Sequence, residues 1–419
     1  MISLGVRQMK KAIKKVFDLL KGILRPIKKK YLEIRDLSRV KKASHHHQKT
    51  HIVFLCQFES CWDKFKPLFE DLIRKNKKTT LLVINDDNST LPYYQKTFTN
   101  KITIFEREYP EYCVKYEKGI LKKLKPSYVV YTRPYNHYLP TDLRSFNALK
   151  YSKTAFINYY YPIDCVFSLI QDILPTINLF IAGNTGEKNF FDQICSRGVS
   201  KGYQKAINYG FPQFENLYAD IGQESDFRQN DRIKVIWTPR WLDDDSELGG
   251  SNFLRYHQKL LDFFIDNPNY SLIFRPHPLM FNDLIQKGKF TQEEKNKVIH
   301  RIKESENCVY DESSYYFHNF KNSNILITDY SSVIPEYFLT NNPIIYCEKN
   351  HNYNIFDDTT KEMIDCNYRV SNIDELLSSL KDITHTDSKK SAREKQIRKF
   401  MSKQEHSSQR IVEELTDKD

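Results

Sequence analysis

From residue 51 onward short apolar runs alternate with amphipathic stretches, a rhythm that confines the chain to parallel sheets with helices on both faces. Strand-like runs fall at 51–56, 79–84, 101–105, 127–131, 154–157 and 178–182, with helix-like patterns at 62–75, 112–124 and 140–149. Between about 210 and 231 the sequence turns polar and irregular, and then the alternation restarts. The second series has runs at 233–237, 270–274, 308–310, 324–328 and 343–346, spaced by helical patterns at 252–265, 292–303, 315–322 and 333–339. Two series within 419 residues predict an α/β chain of two Rossmann-like, doubly wound domains facing a cleft. The expected divisions are an arm and linker over 1–48, a first domain over 49–225, a second over 226–388, and a C-terminal helix over 389–419 that crosses back to brace the first domain. No internal repeat is present, and 27 Tyr and 27 Phe against 12 Gly exclude collagen-like and disordered classes.

Charge sharpens the division. Residues 1–42 hold 14 Lys or Arg and three acidic residues, so the other 377 balance at 50 basic and 50 acidic groups and the net +11 belongs to the arm. There Ile2, Val6, Met9, Ile13, Val16, Phe17, Leu20, Leu24 and Ile27 recur at steps of three and four, with Lys and Arg between them. This is an amphipathic helix pattern with a basic polar face, suited to an anionic headgroup layer. It falls short of the roughly 20 uninterrupted apolar residues of a spanning helix. The expectation is a peripheral protein at the cytoplasmic face of the membrane, held through residues 1–30. A solvated helix packed on the body, a nucleic-acid arm and a presequence are competing readings, and the lack of net positive charge on the body argues against nucleic acid as a partner. Eight scattered cysteines with no Cys-x-x-Cys pair fit a reducing compartment. His45, His46, His47 and His51 have no Cys or carboxylate at ligand spacing, so they read as a polar linker and no metal site is expected.

Three strand ends carry groups suited to phosphate. In Phe274-Arg275-Pro276-His277-Pro278 two prolines stiffen the turn that presents a guanidinium and an imidazole. The plainer reading is a strand-ending turn whose His caps a neighbouring loop. In Thr328-Asp329-Tyr330-Ser331-Ser332 two hydroxyls stand where a helix begins, an anion-binding position as well as an ordinary N-cap. Glu336 follows within about a turn, placed to accept hydrogen bonds from a ribose or simply to face solvent. Trp237-Thr238-Pro239-Arg240-Trp241 also ends a strand, and Gly249-Gly250-Ser251-Asn252-Phe253 then opens a helix with small residues.

In that order the four segments resemble the CDP-glycerol glycerophosphotransferase family over about residues 232–347. The resemblance implies a glycosyltransferase-B-type fold and transfer of a polyol phosphate, glycerol phosphate foremost, from a CDP-activated donor. The acceptor it implies is a hydroxyl of a lipid-linked or growing cell-surface polymer, teichoic-acid-like or capsular, with release of CMP. Carried onto this sequence, it implies that Arg275, His277, Ser331 and Ser332 hold the donor pyrophosphate and that Glu336 lies near the ribose. It also places Thr238, Arg240, Ser251, Asn252, Asp329 and Tyr330 on the donor side, with His277 as the catalytic residue. No cofactor is implied, although a divalent ion bound through the pyrophosphate leaves no motif.

One departure concerns the acceptor. Well-known polymerases of the family carry Trp-His-Gly-Thr in the first domain, whereas the comparable strand end here is Phe156-Ile157-Asn158-Tyr159-Tyr160-Tyr161-Pro162. Arg133-Pro134-Tyr135-Asn136-His137 resembles an element of capsule-associated members, so Tyr135, His137 and Asn158 are the acceptor-side candidates. Two alternatives stand beside this reading: a nucleotide-sugar glycosyltransferase of the same fold, and a noncatalytic membrane-associated scaffold.

Overall fold

The computed structural model describes residues 30–57, 59–84, 103–164, 166–167, 170–221, 232–243, 248–313 and 316–416. The amphipathic pattern over 2–27, and with it the expected membrane contact, lies outside the described residues. In the first lobe β1 (His51–Cys56), β2 (Lys78–Val83), β3 (Cys113–Lys115), β4 (Tyr128–Tyr131), β5 (Lys153–Ile157), β6 (Leu179–Ile181) and β7 (Lys205–Ile207) form one sheet. Its order is β3-β2-β1-β4-β5-β6-β7. In the second lobe β8 (Ile233–Thr238), β9 (Tyr270–Phe274), β10 (Cys308–Tyr310), β11 (Ile325–Thr328), β12 (Ile344–Cys347) and β13 (Tyr368–Val370) are ordered β10-β9-β8-β11-β12-β13. Every pairing between these strands is parallel. The central strands β1, β4, β11 and β12 are buried on both faces, which is why they read as continuous apolar runs instead of alternating ones.

Each sheet reverses its winding once, between β1 and β4 and between β8 and β11. At such a switch point the loops on either side diverge and leave a crevice at the carboxyl ends of the strands. Thr238 and Thr328 are register partners across the second switch point, so the loops that follow them border that crevice.

Three sequence expectations need correction. The run over 101–105 reads as a strand, but Ile104–Glu108 is a helix, because Thr103 and Glu106 form a reciprocal capping box at its start. The stretch 112–124 yields the edge strand β3 and only a short helix, Ile120–Leu124, entered through Gly119 at φ +84. The tail forms two helices, Lys390–Ser402 and Ser407–Thr416, with His406 at φ +56 in the break between them.

The lobes share an apolar seam. Phe65 and Phe69 from helix Trp62–Arg74 and Phe214 from helix Gln213–Ile221 join Phe320, Ile334, Tyr337 and Phe338 of the second lobe in one buried cluster, closed by Phe400 and Ile411 of the tail. Burying each such ring is worth about 2–3 kcal/mol. Within the seam Glu336 accepts from Lys64 Nζ at 2.7 Å, Gln213 Nε2 at 3.0 Å and Tyr316 Oη at 2.6 Å, so one buried carboxylate gathers donors from both lobes. The tail holds the same two bodies. Buried Arg393 donates to the Asn341 carbonyl in the second lobe, and Ser408 and Glu414 engage Asp71 and Lys205 in the first.

Candidate active site

The second-lobe motifs converge on Asp329. Its Oδ2 accepts from the Arg240 amide at 2.9 Å, the Asn252 amide at 3.3 Å and Ser251 Oγ at 3.4 Å, and its Oδ1 accepts from Asn252 Nδ2 at 2.9 Å. Thr238 Oγ1 donates to Thr328 Oγ1 at 2.8 Å beside it. Thr238, Ser251, Asn252 and Asp329 are all buried, so their polar atoms are spent on one another and brace the loops after β8 and β11. Burial raises the Asp329 pKa, while the Arg240 and Asn252 donors and the Lys349 charge work in the opposite direction. The loop approach also explains a glycine: a Cβ on Gly249, at φ +68, would lie 2.5 Å from Asn352 Nδ2. Lys349, which sequence reasoning missed, ties this knot to Asp243 at 2.8 Å and to the Ser251 carbonyl at 3.0 Å.

Around this scaffold lie groups that are partly or fully exposed. The Arg240 guanidinium lies 4.6 Å from the Tyr330 ring centroid, and Trp241 places its ring 5.9 Å from that of His277. Ser331 and Ser332 follow Tyr330 at intermediate exposure. The Ser331 hydroxyl accepts from the Val333 amide at 3.4 Å, and the helix beyond, Ile334–Phe338, is a single turn or so that offers little macrodipole.

His277 is solvent-exposed, and its Nδ1 accepts from the Leu279 amide at 3.1 Å. An amide nitrogen only donates, so a neutral ring carries its proton on Nε2. Crowding by surrounding protein, and then the charges of Arg275 and Arg240, lower the His277 pKa to about 4. The two flanking cations secure that direction even though the ring reaches solvent.

Two sequence candidates stand differently from the rest. The Arg275 guanidinium pairs with Asp311 at 2.5 Å, donates to the Ser313 carbonyl at 2.8 Å and lies over the Tyr316 ring at 4.9 Å, which anchors the turn that presents His277. Glu336 is 4% exposed in the seam and already accepts three hydrogen bonds there, so neither a solvent-facing position nor a ready ribose contact describes it.

In the first lobe a small cleft at the ends of β1 and β4 is lined by Leu55, Gln57, Tyr131, Arg133, Tyr135 and Leu139. Arg133 lies over the rings of Tyr135 and Tyr138 at 5.1 and 5.4 Å, and Tyr135 Oη meets Tyr159 Oη at 3.4 Å. His137 is exposed and packs on Tyr138. Asn158 is fully buried, donates from Nδ2 to Glu187 Oε1 at 3.2 Å, and is not part of the cleft lining. Glu187 is buried too, with the Gly183 amide at 2.9 Å, and burial raises its pKa to about 7. Neither Glu187 nor Asp164, half-buried after β5 with its pKa raised by burial to about 6, carries a sequence signal. Among the described residues no three His, Cys, Asp or Glu side chains gather as metal ligands would.

Residues 39–417 match the protein family described as CDP-Glycerol:Poly(glycerophosphate) glycerophosphotransferase. No curated protein matches the chain in sequence. Among solved structures, the wall teichoic acid polymerase TagF is similar at a TM-score of 0.51 and 14% identity, over 95% of this chain and 97% of that one. A UDP-GlcNAc 2-epimerase from Neisseria meningitidis bound to UDP-GlcNAc is similar at 0.56 and 12%, over 88% and 100%. At such identities the likeness establishes the fold, two facing doubly wound lobes of the glycosyltransferase-B type. The family match, by contrast, runs through both lobes and the tail helices, and the chain belongs to the CDP-glycerol:poly(glycerophosphate) glycerophosphotransferase family of enzymes.

Proposed function

We propose that this enzyme transfers glycerol phosphate from CDP-glycerol to a terminal hydroxyl of a growing teichoic-acid-like or capsular polymer, releasing CMP. The observation that carries this reading is the convergence of His277, Arg240 and the Tyr330–Ser332 turn beside the β8/β11 switch point, in a chain that matches the family along both lobes. In the reaction the acceptor oxygen bonds to the β-phosphorus and the bond from that phosphorus to the bridging oxygen breaks. Negative charge gathers on the nonbridging and leaving oxygens, so fixed donors and cations supply much of the rate. His277, neutral above about pH 4 with its proton on Nε2, supplies a hydrogen-bond donor. With Nδ1 already accepting from the Leu279 amide, it acts on this reading as a phosphate-binding group. Arg240 adds charge, and Ser331 and Ser332 add hydroxyl donors.

The test supplies CDP-glycerol, CDP-ribitol and a UDP-sugar to the full chain with a synthetic oligo(glycerol phosphate) acceptor and scores CMP release. CDP-glycerol is the expected donor, and His277→Ala is expected to cost about 100-fold in kcat. Consumption of the UDP-sugar without CMP release would replace this reading with glycosyl transfer.

The enzyme works, on the same proposal, at the inner face of the membrane, held peripherally by the basic amphipathic pattern of residues 1–30. Deleting those residues should lower partition onto phosphatidylglycerol vesicles by about tenfold or more, given about 1 kcal/mol per surface-bound Lys or Arg. Unchanged cosedimentation would remove the arm from this role.

A further inference from the structure

We propose that Asp164 is the catalytic base that takes the proton of the acceptor hydroxyl. This rests on the phosphotransfer reading above and assigns a residue that reading leaves open. A base is needed because the acceptor arrives as an alcohol and leaves as a phosphodiester. The proton passes to the Asp164 carboxylate as the oxygen–phosphorus bond forms, CMP departs with the electron pair of the broken bond, and Asp164 then returns the proton to water.

The placement of Asp164 is what points to it. Its backbone pairs with Phe356 of the second lobe in an isolated antiparallel bridge, and the neighbouring Ile163 carbonyl accepts from the Asp357 amide at 3.0 Å. Asn184 closes the same junction, donating to the Pro162 carbonyl at 3.0 Å and to Asp357 Oδ2 at 2.9 Å. The Phe356 ring stacks on Tyr330 at 5.3 Å, and the Arg240 guanidinium lies 4.6 Å from the centroid of the same Tyr330 ring. A first-lobe carboxylate is thereby fastened one ring away from the Asp-Tyr-Ser-Ser turn and from the arginine that also acts on His277.

The carboxylate itself is available. Its Oδ1 accepts from the Val166 amide at 2.7 Å, and Oδ2 has no hydrogen-bond partner among the described residues. The charged and titratable groups around it are Asp357, Arg240, Glu187 and Tyr160. Burial and the repulsion of Asp357 raise its pKa, the Val166 amide and Arg240 lower it, and the outcome of about 6 suits a base working near neutrality. The competitors fit less well. Glu187 is 1% exposed and cannot reach a substrate oxygen. No histidine occurs between His137 and His257, so none lies in β5, β6, β7 or the loops that follow them, and His137 itself sits exposed on Tyr138.

The test compares full-length wild type with Asp164→Asn, using CDP-glycerol and the oligo(glycerol phosphate) acceptor. Asparagine keeps an oxygen for the Val166 amide. Asp164→Asn is expected to lose about 100-fold or more in kcat while the KM for CDP-glycerol stays within about threefold. The wild-type fall in kcat below about pH 6 should disappear with it. If Asp164→Asn melts below the assay temperature, Asp164→Ser, whose hydroxyl can serve the same turn, reads the same loss. Turnover within about threefold of wild type with the acidic limb intact overturns the assignment. So does a His137→Ala enzyme that loses the limb while Asp164→Asn keeps it. A wild type that releases CMP from no CDP-polyol overturns the phosphotransfer reading itself, an outcome distinct from a failure of Asp164 alone.

Discussion

Asp329 in the second lobe and Glu187 in the first are both buried beyond the carboxyl ends of their sheets, and they differ in how fully they are hydrogen-bonded. Asp329 accepts four hydrogen bonds, all from the segments that follow β8, so the second-lobe loops are locked around it. Among the described residues Glu187 accepts only from Asn158 and the Gly183 amide, and its pKa climbs to about 7. A satisfied carboxylate fixes geometry, which on the proposed reading suits a half that holds a pyrophosphate in one pose. An under-satisfied one titrates, and it underlies the half whose loops are lined with tyrosines and one arginine.

Removing the better-satisfied group should produce the larger effect. Asp329→Ala strands the Arg240 and Asn252 amides and the Ser251 hydroxyl in a buried site, where each lost partner costs about 1–3 kcal/mol without strict additivity. The expected loss of stability is about 4 kcal/mol by urea unfolding, with CDP-glycerol turnover falling as Arg240 loses its anchor. Asp329→Asn keeps one acceptor oxygen and should lose about half as much. Equal, small effects of both variants would show that the knot is not what holds the donor loops.

The same contrast governs what was legible in the residues. Strands β8, β9, β11 and β12 are contiguous runs, fully buried in β11 and β12 and partly in β8 and β9, and the polar groups at their ends follow directly in sequence, so both element and motif stand out. The three-residue edge strands β3, β7 and β13 are too short to show a period, and the capping box at Thr103 overrides an apolar run that reads as a strand. Within the second-lobe motifs, residue identity points to segments that the fold brings together but not to the division of labour: Asp329, Thr238, Ser251 and Asn252 are buried and brace one another, while Arg240 is half-buried and His277 exposed. Glu336 reads as a ribose partner or a surface residue until the fold brings Lys64 and Gln213 to it from far along the chain. Asp164 and Glu187 have no motif at all, because burial and a bridge to residue 356 exist only after folding.

The smaller effect belongs to Glu187→Gln, and its sign depends on pH. The wild-type carboxyl moves from an ordinary value of 4.5 to about 7 on folding, so the native state favours the protonated form. Its contribution to stability is complete below about pH 4.5 and is lost as pH rises through about 7. Glutamine is neutral throughout and keeps an oxygen for the Gly183 amide, so its unfolding free energy escapes that loss. Asn158 Oδ1 is buried without a partner, and the amide nitrogen of the introduced glutamine, turned to face it, would satisfy both groups. Urea unfolding should therefore find Glu187→Gln close to wild type at pH 5 and more stable by roughly 2–3 kcal/mol at pH 8. A constant difference between the variants across that range would mean that Glu187 stays ionised in the fold.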